Sequence, residues 1–125
     1  MDRQRLLIVD DDLEMLRNVA LMLSLEGYYV MTATSGMAAS VLIKEHVFDV
    51  MITDLRMPIV DGYELVRRTQ AIHPQTSIIV TTRYLDDDTK AWIARVGVLG
   101  LEKPYNVHQM SAILRDLTST QLLRV

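Results

Sequence analysis

Leu6-Leu7-Ile8-Val9-Asp10-Asp11-Asp12 is a run of four branched apolar residues stopped by three acids. Four residues are too few for a buried helix, and nothing in the run alternates with polar residues. It predicts a short strand covered on both faces. Downstream, Leu13, Leu16, Val19, Ala20 and Leu23 recur at helical spacing, and Gly27 supplies a stop. Tyr28–Thr32 predicts a second strand. Ser35 can cap a helix to about Glu45, with Val41 and Leu42 inward. Residues Asp49–Thr53 hold Val50-Met51-Ile52 and predict a third buried strand that runs into Asp54.

Beyond a loop with Pro58, Asp61 and Glu64 fit a capping box opening a helix to about Ile72, before His73-Pro74. Ile78-Ile79-Val80 predicts a fourth strand, ending in Thr81-Thr82. Asp86-Asp87-Asp88 opens a helix that Gly97 ends, with Ile93 and Val96 inward. Val98–Leu101 predicts a fifth strand. Asn106 and Gln109 form a second candidate box, before a last helix with Met110, Ile113, Leu114 and Leu117 inward. Strand and helix alternate throughout, which implies an α/β fold with a five-stranded parallel sheet and helices on both faces.

The 125 residues suit a single domain, 1–125, with a core over about 5–118 and 119–125 as a tail or the start of a linker. Half of the residues are hydrophobic and the net charge is −3, so the chain lacks the basic footprint of direct nucleic-acid binding. With no cysteine, disulfides and thiolate metal sites are excluded. No segment approaches the roughly 18 apolar residues of a membrane span, and the N-terminal apolar run is too short for a signal peptide. A soluble cytoplasmic domain is expected.

In a doubly wound sheet, ligands bind beyond the carboxyl ends of the strands. Here those ends carry Asp10-Asp11-Asp12, then Asp54, Thr82 and Glu102-Lys103-Pro104. Two carboxylates 4 Å apart repel by about 4 kcal/mol at an effective dielectric near 20. A hard divalent cation such as Mg²⁺ relieves that repulsion and favours oxygen ligands. A carboxylate can also attack phosphorus to give an acyl phosphate. The plain alternative is that acids after strands cap the next helix, which accounts well for Asp12, Asp61 and Asp86–Asp88. It does not account for Asp10, Asp11, Asp54, Thr82 and Lys103 at successive strand ends.

Leu7-Ile8-Val9-Asp10-Asp11-Asp12, Asp54-Leu55-Arg56-Met57-Pro58 with Asp61-Gly62, Val80-Thr81-Thr82, and Lys103-Pro104-Tyr105 together resemble the receiver domains of response regulators, over essentially the whole chain. The resemblance implies the flavodoxin-like strand order 2-1-3-4-5. It implies that Asp54 accepts a phosphoryl group from the phosphohistidine of a sensor histidine kinase or a phosphotransfer protein. Asp11 would ligate Mg²⁺ together with Asp54, Asp10 would help through water, and the backbone carbonyl of Arg56 would be a further ligand. Thr82 would be the hydroxyl that moves onto the phosphoryl oxygen, and Lys103 would pair with that group. The Lys103–Pro104 bond is commonly cis in similar proteins. Such a domain is not an enzyme on a separate substrate; it catalyses only its own phosphorylation and dephosphorylation.

Thr81 and Thr82 compete for the hydroxyl role, because side chains alternate along a strand. Counting back from Lys103 on the family's spacing favours Thr81. Counting forward from Pro74, and on to Gly97, favours Thr82, which is taken here with one residue fewer between Gly97 and Lys103. Two positions depart from the family. Gly100 stands where an aromatic is usual, so the threonine–aromatic relay has no obvious second member; Tyr84 and Tyr105 are the available substitutes. Arg83 stands where a small residue is usual. It either contacts the phosphoryl group or narrows the path of attacking water, or it is a solvated surface arginine. The first reading expects a changed phosphoaspartate lifetime in Arg83→Ala, and equal decay rates in the two proteins would exclude it.

Trp92, on the fourth helix, either contacts a second copy or an effector domain through the face built from helix 4, strand 5 and helix 5, or packs along its neighbours' aliphatic stems. His46, His73 and His108 show no ligand spacing. An aspartate-nucleophile phosphatase built on Asp10 and Asp12 is disfavoured by Glu14, where a hydroxyl residue is usual. The absence of a glycine-rich turn after the first strand disfavours a dinucleotide-binding domain. A receiver-like interaction module with altered or absent phosphorylation switching remains the alternative reading.

Overall fold

The computed structural model describes residues 3–123, with side chains for 3–117. Five strands alternate with five helices: β1 (Arg5–Val9), α1 (Leu13–Leu25), β2 (Tyr29–Ala33), α2 (Gly36–Glu45), β3 (Val50–Asp54), α3 (Gly62–Ile72), β4 (Ser77–Thr82), α4 (Asp87–Val96), β5 (Leu99–Glu102) and α5 (Val107–Leu123). The strands form one parallel sheet in the order β2-β1-β3-β4-β5. The alternation of elements implied the parallel sheet, and the resemblance implied its flavodoxin-like order.

The short apolar runs form strands because both of their faces are covered. Leu6, Ile8, Val50, Ile52 and Ile79 pack with Leu16, Val19 and Leu23 of α1 and with Met110 and Leu114 of α5. Leu7, Val9, Met51, Ile78 and Val80 face the other way, against Ala39 and Ile43 of α2 and Leu65 and Val66 of α3. Full burial of one such side chain contributes about 1.5–3 kcal/mol, so the two clusters dominate the folding free energy. Among the described residues, no helix is long and apolar enough to cross a membrane.

The helix starts are fixed by side chains. Asp12, Ser35, Asp61 and Asp86 each accept a hydrogen bond from the backbone N–H three residues on. The Asn106–Gln109 box closes in both directions, at 2.9 Å each way. The Asp61–Glu64 box closes in one direction, at 2.9 Å from the Glu64 N–H. Glu64 does not reach back, because Arg67 and Arg68 both donate to its carboxylate. Gly97 ends α4 in the left-handed region with φ +76°.

Two helical faces differ from expectation. Val41 is 53 % exposed, and Leu13 is 46 % exposed. In α2 the buried residues are Gly36, Ala39, Ser40 and Ile43. Small residues win there because the helix comes very close to the loop before α3. A Cβ built on Gly36 would lie 2.1 Å from the Val60 carbonyl oxygen. The backbone of α5 runs to Leu123, through the expected boundary at 118.

Candidate functional site

Parallel pairing brings the carboxyl ends of β1, β3, β4 and β5 to one edge, where they enclose a cavity of about 210 Å³. Asp10, Asp11, Asp12, Asp54, Arg56, Thr82, Arg83, Tyr84 and Lys103 line it. Every site residue expected from the sequence is therefore in one place. Thr82 lines the cavity, whereas Thr81 is buried in the sheet and is not among the lining residues. The Lys103–Pro104 bond is cis.

Lys103 joins the acids. Its Nζ donates to Asp10 Oδ2 at 2.8 Å and to Asp54 Oδ2 at 3.1 Å. The remaining carboxylate oxygens take backbone donors: Asp10 Oδ1 accepts from the Asp12 N–H at 2.9 Å, and Asp54 Oδ1 from the Arg56 N–H at 3.2 Å. Asp10 and Asp54 are buried, at 4 % and 8 % exposure, and Asp11 is exposed. One oxygen each from Asp10, Asp11 and Asp54 lies within 4.8 Å of the others. That set of hard oxygen donors fits a divalent cation.

Burial is the largest influence on the charges of the site. Burial pushes the Asp54 carboxyl above its ordinary value, against the pull of the Lys103 charge and the Arg56 N–H. Burial opposes the charge on Lys103, but the Asp10 hydrogen bond and the Asp10 and Asp54 charges outweigh it and hold the ammonium protonated to higher pH. One ammonium is shared by two buried carboxylates, Asp10 and Asp54.

Tyr105 is pushed up to about 12, by burial first and then by the charges of Asp10 and Asp54. An unfolded chain ionises the phenol near its ordinary value of about 10. The stability tied to this proton is complete below the unfolded value and is lost as pH rises through the folded one. In urea unfolding between pH 10 and 12, Tyr105→Phe should show a shallower fall in stability than wild type. Lys103 keeps part of the slope, since its shift has the same sign. Equal slopes in the two proteins would contradict this assignment.

Sequence reasoning named Arg56, Arg83 and Tyr84 but missed the contact that joins two of them at the rim of the cavity. The Arg56 guanidinium lies over the Tyr84 ring, 5.5 Å from its centroid, a cation–π contact between the loops after β3 and β4. A signal was present, since each residue stands two places past a strand-end site residue. The Thr82 hydroxyl accepts from the Tyr84 N–H at 3.2 Å. Arg83 is exposed and lines the cavity.

Gly100 and Trp92 are placed less predictably. A Cβ on Gly100 would lie 2.5 Å from Ile93 Cδ1 and 3.4 Å from Leu85 Cδ1, so α4 fills the space beside β5. Of the possible aromatic substitutes, Tyr84 is 62 % exposed and Tyr105 packs on the α1–α5 side of the sheet. Trp92 is half-buried edge-on to Tyr63 of α3, with ring centroids 4.6 Å apart. The expected partner face of α4, β5 and α5 therefore loses this ring, because the turn of α4 directs it toward α3. It lines a larger groove of about 530 Å³ between α3 and α4. Of the charged residues there, Glu64 and Arg67 are paired with each other, and Asp61 caps α3.

A family model described as the response regulator receiver domain matches residues 6–115. A response regulator receiver protein of Anaeromyxobacter is 37 % identical over 105 residues, covering 83 % of this chain and 44 % of that protein. The transcriptional regulatory protein ZraR of Escherichia coli O157:H7 is 31 % identical over 98 % of this chain and 28 % of its own length. The chain thus spans less than half the length of these curated relatives. Among solved structures, Vibrio cholerae chemotaxis protein CheY4 superposes with a TM-score of 0.85 at 31 % identity, covering 93 % of this chain and 99 % of the other. A receiver domain protein of Clostridium thermocellum gives 0.89 at 26 % identity, over 98 % and 99 %.

Proposed function

The chain belongs to the response regulator receiver domain family of two-component systems, and from that premise we propose that Asp54 is its phosphoacceptor. The observation that carries this reading is the Lys103 bridge, which holds the Asp54 carboxylate in a cavity with three further acids and a hydroxyl. An Asp54 oxygen attacks phosphorus of a phosphohistidine on a sensor histidine kinase or phosphotransfer protein. The O–P bond forms, the N–P bond breaks, and the leaving imidazole keeps the electron pair. Lys103 shifts from carboxylate to phosphoryl oxygen, and Thr82 turns its hydroxyl to another. Phosphoryl transfer depends chiefly on such positioning and charge neutralisation.

Asp10, Asp11, Asp54 and the Arg56 carbonyl would hold Mg²⁺, which supplies the positive charge that one lysine cannot. The chain acts on no separate substrate; it promotes only its own phosphorylation and dephosphorylation. Output then passes to a partner or effector domain through α4, β5 and α5, in the cytoplasm.

Incubation with acetyl phosphate and Mg²⁺ tests the reading. The intact chain should gain the mass of one phosphoryl group, while Asp54→Asn or removal of Mg²⁺ should abolish the gain. An undiminished gain in Asp54→Asn would overturn it. One observation favours the second reading, an interaction module with altered switching: Ile93 occupies the space beside Gly100. Phosphorylation without any change in the α4 amide resonances would support that version.

A further inference from the structure

The two edges of the sheet are finished differently. The helices beside β5 carry Asp87, Asp88, Lys90 and Arg95 on α4 and Arg115 and Asp116 on α5. The stretch that builds the β2 edge carries almost no charge. In a chain that is 23 % charged, Asn18–Ile43 holds one charged residue, Glu26, whose carboxylate accepts from the Ser111 hydroxyl at 2.5 Å. This stretch supplies the second half of α1, all of β2 and most of α2. Leu25 is 74 % exposed, and Leu21, Tyr29, Met37 and Val41 are each more than half exposed.

The backbone of β2 is open on its outer side. The Tyr29 N–H donates to the Gln4 carbonyl at 2.9 Å, and the Ala33 carbonyl accepts from the Asp10 N–H at 3.2 Å. Alternate residues of a parallel strand turn their peptide groups to the same neighbour. Tyr29, Met31 and Ala33 therefore face β1, and Val30 and Thr32 direct N–H and C=O away from the sheet. Among the described residues, β1 is the only strand beside β2. Proteins commonly guard such an edge with lysine, proline or a bulge, and Tyr29-Val30-Met31-Thr32-Ala33 contains neither residue.

We propose that β2 pairs antiparallel with β2 of a second copy of this chain, about a twofold axis at Met31, so that one sheet runs across both chains. In that register Val30 stands opposite the second copy's Thr32. The two exchange N–H to C=O bonds in both directions, and the dyad repeats the exchange. All the outward peptide groups of Val30 and Thr32 are then satisfied at once. Twofold contact sets each surface element against its own kind. A strongly charged rim would meet its own sign there; this rim carries Glu26 alone, bonded to Ser111, and is otherwise uncharged. The pairing is independent of Asp54 and requires no phosphorylation.

Sedimentation velocity and amide hydrogen exchange of the unphosphorylated chain, over one dilution series, test this. A dimer that dissociates on dilution is expected. Val30 and Thr32 amides should exchange about tenfold or more slower in the dimer than in the monomer, while Tyr29 and Met31 amides stay protected throughout. Thr32→Lys, at an exposed side chain, should be monomeric with an unchanged circular dichroism spectrum. The wild-type amide measurement decides the matter even if that variant fails to fold. A monomer at every concentration, or a dimer in which Val30 and Thr32 amides exchange freely, would overturn the proposal. So would protection of those amides that ignores concentration.

Discussion

Lys103→Ala is expected to cost the fold about 3–5 kcal/mol, the range for removing one partner of a buried ion pair. The Lys103, Asp10 and Asp54 side chains are 9 %, 6 % and 12 % exposed. Without the ammonium, two nearly dry carboxylates face each other with Asp11 beside them. Net stabilities of domains are about 5–15 kcal/mol, so this is a large share of the total. Two conditions should return part of the loss. Acid lets Asp54 take up a proton, which its raised carboxyl already favours. Mg²⁺ supplies charge in place of the lysine. Urea unfolding with and without Mg²⁺ measures both effects. A loss below about 1 kcal/mol, as for an exposed pair, would mean that the bridge carries little of the site's electrostatic load.

Gly62→Ala should be the second severe change. A Cβ at Gly62 would lie 2.3 Å from the Asp54 carbonyl oxygen and 2.6 Å from Leu55 Cα. Both are backbone atoms of the segment that carries the acceptor, so relief requires moving α3 or the end of β3. Overpacking costs about 1–3 kcal/mol when side chains can adjust, and the upper end is expected here. Phosphorylation should slow as well, because Asp54 moves with its backbone. Gly100→Ala provides the contrast. Its Cβ meets the tip of the Ile93 side chain, which can rotate away. If thermal unfolding ranked Gly100→Ala as the costlier of the two, the close approach of α3 to β3 would not be the controlling contact.

The strands and helix starts were legible in the sequence because each ends on a chemical stop, as Val9 does against Asp10. Boundaries were less so: β2, β3 and β5 each begin and end one residue later than expected. Composition alone does not decide such an end; the partner's register does, as where Asp54 pairs with Thr81 and the Leu55 N–H then reaches the Thr81 carbonyl. Val41 was misplaced because bulk was taken as the mark of the inner face, when close packing selected Gly36, Ala39 and Ser40. The two readings of Trp92 stayed open in the sequence because the turn of α4 about its axis depends on Tyr63, a partner on another helix. The site was legible as a set of strand ends. Its wiring was not, since the bridge from Lys103 to Asp10 spans 93 positions of sequence and exists only once β5 lies in the sheet.

Borohydride reduction of the chain treated with acetyl phosphate and Mg²⁺, followed by peptide mapping, tests the central claim most directly. Borohydride converts an aspartyl phosphate to homoserine and leaves free aspartate alone. The account predicts homoserine at residue 54, with aspartate intact at residues 10, 11 and 12. Homoserine at residue 10, or at no position, would contradict it.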